Sequence, residues 1–265
     1  MNKPELSNAI ISLYDLMSRL RGHGGCPWDA LQTDSSVMMY LLEEAYEVID
    51  AVERAIADDV CMELGDLLFQ IIFLARLAEE RGEFDLKDVL QKITEKMIKR
   101  HPHVFGSTRV KGPEEVAVNW EKIKKQEKGV YETPTTSLQN VPMKLPALLR
   151  AHRLSEKASK VNFDWADAGD VWGKVEEEFE ELKEAIRTRD SSRVGEELGD
   201  LLFSLVNLAR HWDLNAEYLL RCANNKFIKR FGKMEEELNS SGITLEEATS
   251  ERMNLAWEKV KTKTG

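Results

Sequence analysis

The heptapeptide ELGDLLF occurs at residues 63–69 and again at 197–203. The segments around it, LGDLLFQIIFLAR (64–76) and LGDLLFSLVNLAR (198–210), agree at nine of thirteen positions. The same register lays EEAYE (43–47) on EEFEE (177–181), so the interval from Glu44 to Glu63 equals that from Glu178 to Glu197. Further on, KMIKR (96–100) matches KFIKR (226–230), and WEKIK (120–124) matches WEKVK (257–261). Small changes of register between these pairs mark insertions in loops. The chain is therefore one folding unit written twice.

The unit is helical. Leu41, Ala45, Ile49 and Val52, then Leu64, Leu67, Leu68, Ile71, Ile72 and Ala75, recur at three and four residues, which is the period of an α-helix. Strand-like alternation is nearly missing, and the fold class is all-α. Three of the seven prolines, Pro134, Pro142 and Pro146, sit together in a Thr- and Ser-containing stretch. Proline removes a helix donor and restricts the residue before it. The expected division is a module at 1–128, a linker at 129–146 and a second module at 147–265.

Composition narrows the functional classes. A net charge of −10 and a pI near 5.2 argue against a nucleic-acid-binding surface. No apolar run approaches the roughly 18 residues of a membrane span, so no membrane partner is expected, and the N-terminus reads as an amphipathic helix rather than a leader. Cys26, Cys61 and Cys222 are odd in number and far apart, suggesting neither disulfides nor zinc. The expected setting is the reducing cytoplasm.

The chemistry lies in the acids. Glu178 and Glu181 are three residues apart, as are Glu197 and Asp200, so each pair shares a helix face. Two such helices packed together gather four carboxylates, which repel one another unless a cation sits among them. Oxygen-only donors suit Mg²⁺, with Mn²⁺ as a substitute. Gly199, inside a strong helix, points to a close helix approach, with Leu198, Leu201, Leu202 and Phe203 as the packing face. A di-iron site would want Glu-x-x-His, and no histidine follows a glutamate at that spacing. MEEEL (234–238) and TLEEA (244–248) read as solvated acidic faces.

A metal-bound polyphosphate also needs cations on its far side. Lys226 and Arg230 are four apart, as are Lys96 and Arg100; Trp257 and Lys261 repeat the spacing, as do Trp120 and Lys124. An indole one turn before an ammonium can stack on a base and touch a phosphate. GGCPWD (24–29) reads as a turn in which Trp28 plugs the core, with NFDW (162–165) as its counterpart. HPHVF (101–105) reads as a helix-ending turn.

The acidic pairs on a Gly-containing helix, together with GCPWDALQT (25–33) and HPHVF, resemble the MazG family of nucleoside triphosphate pyrophosphohydrolases over essentially the whole chain. The resemblance implies tandem four-helix-bundle-like modules, a homodimer, Mg²⁺ dependence, ATP among the nucleotides bound, and hydrolysis of a broad range of NTPs to NMP and pyrophosphate. Carried over residue by residue, it makes Glu178, Glu181, Glu197 and Asp200 metal ligands. It makes Lys174, Glu177, Arg193, Glu196, Lys226, Arg230, Trp257 and Lys261 the nucleotide site.

The N-terminal copy keeps Glu44, Glu47, Glu63 and Asp66 but has Tyr40 for Lys174, Asp59 for Arg193 and Met62 for Glu196. Losing two cations matters to a triphosphate, so the C-terminal copy is the expected catalytic site and the other is weaker, regulatory or structural. The expected reaction is metal-assisted attack of water at phosphorus, with Glu177 or Glu178 as base. Two rival readings stand beside it. One is a single-nucleotide all-α pyrophosphohydrolase of dUTPase-like or phosphoribosyl-ATP type, which a panel of NTPs separates. The other is a non-catalytic helical adaptor, which would release no pyrophosphate.

Overall fold

The computed structural model describes residues 2–127 and 134–263. Among them every regular element is a helix, and the chain divides into two compact units at Glu127. The first unit contains α1 (Lys3–Arg21), α2 (Pro27–Ala30), α3 (Asp34–Arg54), α4 (Ala57–Glu80), α5 (Leu86–Arg100), α6 (Pro102–Phe105) and α7 (Pro113–Glu127). The second contains α8 (Pro134–Gln139), α9 (Ala147–Ser159), α10 (Ala168–Thr188), α11 (Ser191–His211), α12 (Ala216–Ser240) and α13 (Ser250–Lys263).

Each unit is organised around one long helical hairpin, α3–α4 or α10–α11. Both hairpins turn through a non-glycine residue in the left-handed region, Ala55 (φ 57°) and Arg189 (φ 56°), which occupy the same position in the repeat. The starts are fixed by caps. Thr33 and Ser36 exchange capping bonds at the head of α3, and the Asp190 carboxylate accepts from the Ser192 and Arg193 amides at the head of α11. In the first unit α1 closes over α4, burying Met17, Val37, Ile72, Phe73 and Leu77 in one core. In the second, α9 packs on α11 and α12, while Met234, Leu238, Ala256 and Val260 join α12 to α13.

Two loops are tied down by arginines. Asp164, in the loop before α10, pairs with Arg210 and His211 at the end of α11, and the Arg210 guanidinium holds its carboxyl down to about 2. In the first unit Arg21 donates to the Asp29 carbonyl and pairs with Glu80 at 2.7 Å.

Part of the stretch expected to be linker is structured. Residues 128–133 lie outside the described residues, but 134–139 form α8, Val141 is buried, and Lys157 donates to the Ser137 carbonyl at 2.7 Å. A proline at the first position of a helix starts it as readily as an interior one breaks it, because the missing N–H has no partner there anyway.

Candidate functional site

In the second unit Glu178 of α10 meets Glu197 and Asp200 of α11, one carboxylate oxygen from each lying within 4.8 Å of the others. The group lies on the inner side of the hairpin: Glu178 is 5 % and Glu197 9 % exposed, and Asp200 opens to solvent. The leucines expected to pack this helix are not the buried ones. Leu198, Leu202 and Phe203 are 46 %, 47 % and 39 % exposed, whereas α11 buries Glu197, Ser204, Val206 and Asn207. A Cβ added at Gly199 would meet nothing within 4 Å, so the close approach expected there is not made within the subunit. The helix turns its acids to its hairpin partner and its apolar stripe outward.

Two cations sit on these acids. Lys174, one turn before Glu178, places Nζ 2.7 Å from Oε1 of both Glu177 and Glu178. Arg193, one turn before Glu197, places Nε 3.1 Å from its Oε1. The bonds to Glu177 and Glu178 hold the Lys174 ammonium well above the usual lysine range, and Glu197 does the same for the Arg193 guanidinium. Glu181 is half-buried and lies outside the group of three, although its charge reaches Arg193. Glu196 is exposed and also outside it.

The first unit repeats the acids without the cations. Glu44, Glu63 and Asp66 bring carboxylate oxygens within 4.8 Å of one another. Burial raises the Glu44 carboxyl, and the charges of Asp66 and Glu47 add to it; Gln70 offsets part by hydrogen bonding. Glu63 is raised by desolvation and by Glu47, with Arg54 opposing. Tyr40, at the position of Lys174, faces Trp28 with ring centroids 5.9 Å apart. Trp28 is 55 % exposed, not the core plug its sequence context suggests. Beside it Ser36, Met39, Tyr40, Leu42, Glu43 and Tyr46 line a groove of about 520 Å³. Asp59, at the position of Arg193, pairs with Arg54 at 3.3 Å. Gln70 escaped the sequence reading, and the signal was present: its repeat partner is Ser204, one of the four mismatches in the thirteen-residue match.

The remaining nucleotide-site residues gather elsewhere. Lys226 and Arg230 lie on α12, Trp257 and Lys261 on α13, and Trp257 packs on Phe227 at 5.4 Å. Lys261 pairs with Glu258 at 2.8 Å. Among the described residues α10 packs only on α11, and α13 only on α12, so the subunit does not bring this set against Glu178. In the first unit Arg100 is engaged internally, 2.5 Å from Glu127 and over the Trp120 ring at 5.6 Å. His101 ends α5 with Nδ1 2.6 Å from the Met97 carbonyl, a helix-ending role.

Residues 32–105 and 172–234 each match the MazG nucleotide pyrophosphohydrolase domain. Each matched stretch contains one of the two acid trios. A Thermotoga maritima protein named nucleoside triphosphate pyrophosphohydrolase/pyrophosphatase MazG is 45 % identical over 249 residues, 94 % of either chain. The nucleoside triphosphate pyrophosphohydrolase of Escherichia coli K12 is 42 % identical over 257 residues, 96 % of this chain and 97 % of that one. YabN of Bacillus subtilis is 41 % identical over 97 % of this chain, which spans 52 % of YabN.

Proposed function

For a chain that belongs to the MazG family of nucleotide pyrophosphohydrolases, we propose that it hydrolyses nucleoside triphosphates, ribo- and deoxyribo-, to the monophosphate and pyrophosphate, with Mg²⁺ and at the C-terminal copy. The observation that carries this is the convergence of Glu178, Glu197 and Asp200 beside Lys174 and Arg193. The donor set fits a hard divalent ion: all donors are carboxylate oxygens, and they lie within 4.8 Å of one another, near enough for small side-chain rotations to bring them onto one ion. When bound, such an ion neutralises phosphate charge and lowers the pKa of the attacking water.

The chain's own groups supply the rest. Glu178, Glu197 and Asp200, with Glu181 a turn away, hold the metal. Lys174 and Arg193 take phosphate oxygens, and Glu177, exposed and outside the trio, accepts the proton of the attacking water. Lys226, Arg230, Trp257 and Lys261, which α12 and α13 hold apart from Glu178 within one subunit, serve the distal phosphates and the base in the proposed dimer, with Glu196 at the rim. The N-terminal acids Glu44, Glu47, Glu63 and Asp66 form a weaker copy, because Tyr40 and Asp59 stand at the positions from which Lys174 and Arg193 would meet a triphosphate. Among the described residues no helix is long and apolar enough to cross a membrane. The proposed setting is nucleotide-pool housekeeping in a reducing cytoplasm, in keeping with three free cysteines. The proposed state is a homodimer, for reasons argued at the scale of the whole molecule below.

Product analysis over a panel of NTPs and dNTPs with Mg²⁺ tests the reaction: NMP and pyrophosphate are expected, and NDP with phosphate would refute it. Glu178→Gln or Asp200→Asn lowers turnover by at least about 10³-fold with the helical circular dichroism intact. Asp66→Asn in the full-length chain leaves most of the turnover in place. Equal losses from Asp66→Asn and Asp200→Asn would overturn the assignment of the working copy.

A further inference from the structure

The two copies hold the same three acids and differ in what sits on them. In the C-terminal copy the two buried members of the trio each already have a partner: Glu178 has Lys174 Nζ at 2.7 Å, and Glu197 has Arg193 Nε at 3.1 Å. A divalent cation entering alone would share those oxygens with an ammonium and a guanidinium, and like charges a few ångströms apart in a half-buried site repel strongly. Both cations reach back from one helical turn away, and their side chains are 33 % and 44 % exposed. They can rotate toward solvent without moving either helix. A phosphate chain offers them oxygens of the same charge as those they leave. At the N-terminal trio these positions hold Tyr40, tilted against the Trp28 ring, and Asp59, paired with Arg54.

We propose, on the premise of the reading above, that Lys174 and Arg193 are place-holders: they close the trio of Glu178, Glu197 and Asp200 to a lone divalent cation and open it when a polyphosphate draws them off. Metal and nucleotide then enter this copy together, and nucleotide-free enzyme keeps its catalytic acids paired. Lys174 and Arg193 are thus positioning residues for the metal as well as contacts for the phosphates.

The test is Mn²⁺ binding, followed by electron paramagnetic resonance on the full-length, chelator-stripped chain, with Asp66→Asn present to silence the N-terminal trio. It is run with and without a non-hydrolysable triphosphate analogue. Without analogue, binding is expected to be at least about tenfold weaker than with it, a coupling of ordinary size. Lys174→Met and Arg193→Gln should each tighten nucleotide-free binding and shrink the gain from the analogue, while Lys174→Arg behaves as the parent. If both Lys174→Met and Arg193→Gln leave nucleotide-free affinity unchanged or weaker, the place-holder role is overturned. Adding Asp200→Asn should abolish the binding in either condition. Should Mn²⁺ binding survive that change, the metal site itself is misplaced, a failure distinguishable from the first.

Discussion

Glu44 and Glu178 occupy one position in the repeat and live in different electrostatic surroundings. Glu178 has an ammonium at 2.7 Å; Glu44 has Asp66, Glu47 and its own burial, all favouring its protonated form. A carboxyl raised in the fold above its unfolded value is a liability once ionised, so the Glu44 contribution is intact at pH values below the usual carboxylate range and is lost as pH climbs through its raised pKa. In chelator at pH 7, Glu44→Gln should therefore raise the melting temperature, and the gain should vanish near pH 4. Glu178→Gln should lower it, by about 1 kcal/mol of lost charge-assisted bonding. Thermal melts of both variants between pH 4 and 8 check the sign. The trio itself was legible in the sequence, because spacing and repetition put those acids on facing stripes. Glu181 shows the limit: it stands three residues from Glu178, the spacing that keeps Asp200 with Glu197, yet it lies outside the group, so spacing along one helix does not decide which acids meet across two. The pairing of Lys174 and Arg193 with the acids was not legible either. A lysine four residues before a glutamate reads the same whether the pair is a surface bridge or the lock on a site.

Among elements, the hairpin turns carry the clearest energetic statement. Ala55 and Arg189 adopt φ near +57°, a region that costs an L-residue about 1–2 kcal/mol. Glycine adopts it freely and is the usual residue after a helix end. Arg189→Gly should stabilise the C-terminal unit by about 0.5–1 kcal/mol, after allowing for glycine's extra freedom in the unfolded chain; urea unfolding measures it, and a destabilised variant would show that the Arg189 side chain matters more than its backbone. Helices α3 and α4 were readable from the three-and-four periodicity within 41–52 and 64–75, and α10 and α11 from the repeat of those segments. What periodicity could not say was which neighbour each stripe faces. Leu198 and Leu202 were expected inside and lie outside, since the hairpin's inner face is given to the acids. Short elements failed for a different reason. In α8 a proline that signals a break in a long helix opens a short one, and Trp28 finds Tyr40 on another helix, a contact no local pattern encodes.

The whole molecule exposes 18889 Å². Two separate compact domains of half its mass would together expose only about 14,000 Å², an excess of roughly 5,000 Å² per chain, more than each partner gives up in most obligate dimers. The excess is apolar and patterned. Leu198, Leu202 and Leu205 form an exposed stripe on α11, and their repeat partners Leu64, Leu68 and Ile71 form the same stripe on α4. Stripes at this spacing on long helices are surfaces for other helices, and an isologous dimer is the commonest way a chain covers its own. Sedimentation should therefore give a mass near twice 30.3 kDa, with a melting temperature that rises with protein concentration. Leu202→Glu puts a charge into the middle of the proposed interface and should shift the chain toward monomer while lowering that temperature. Leu68→Glu should do the same through the other copy. A wild-type mass equal to that of a single chain, with a concentration-independent melt, would mean that these stripes face water in the working enzyme, and the dimer would have to be abandoned.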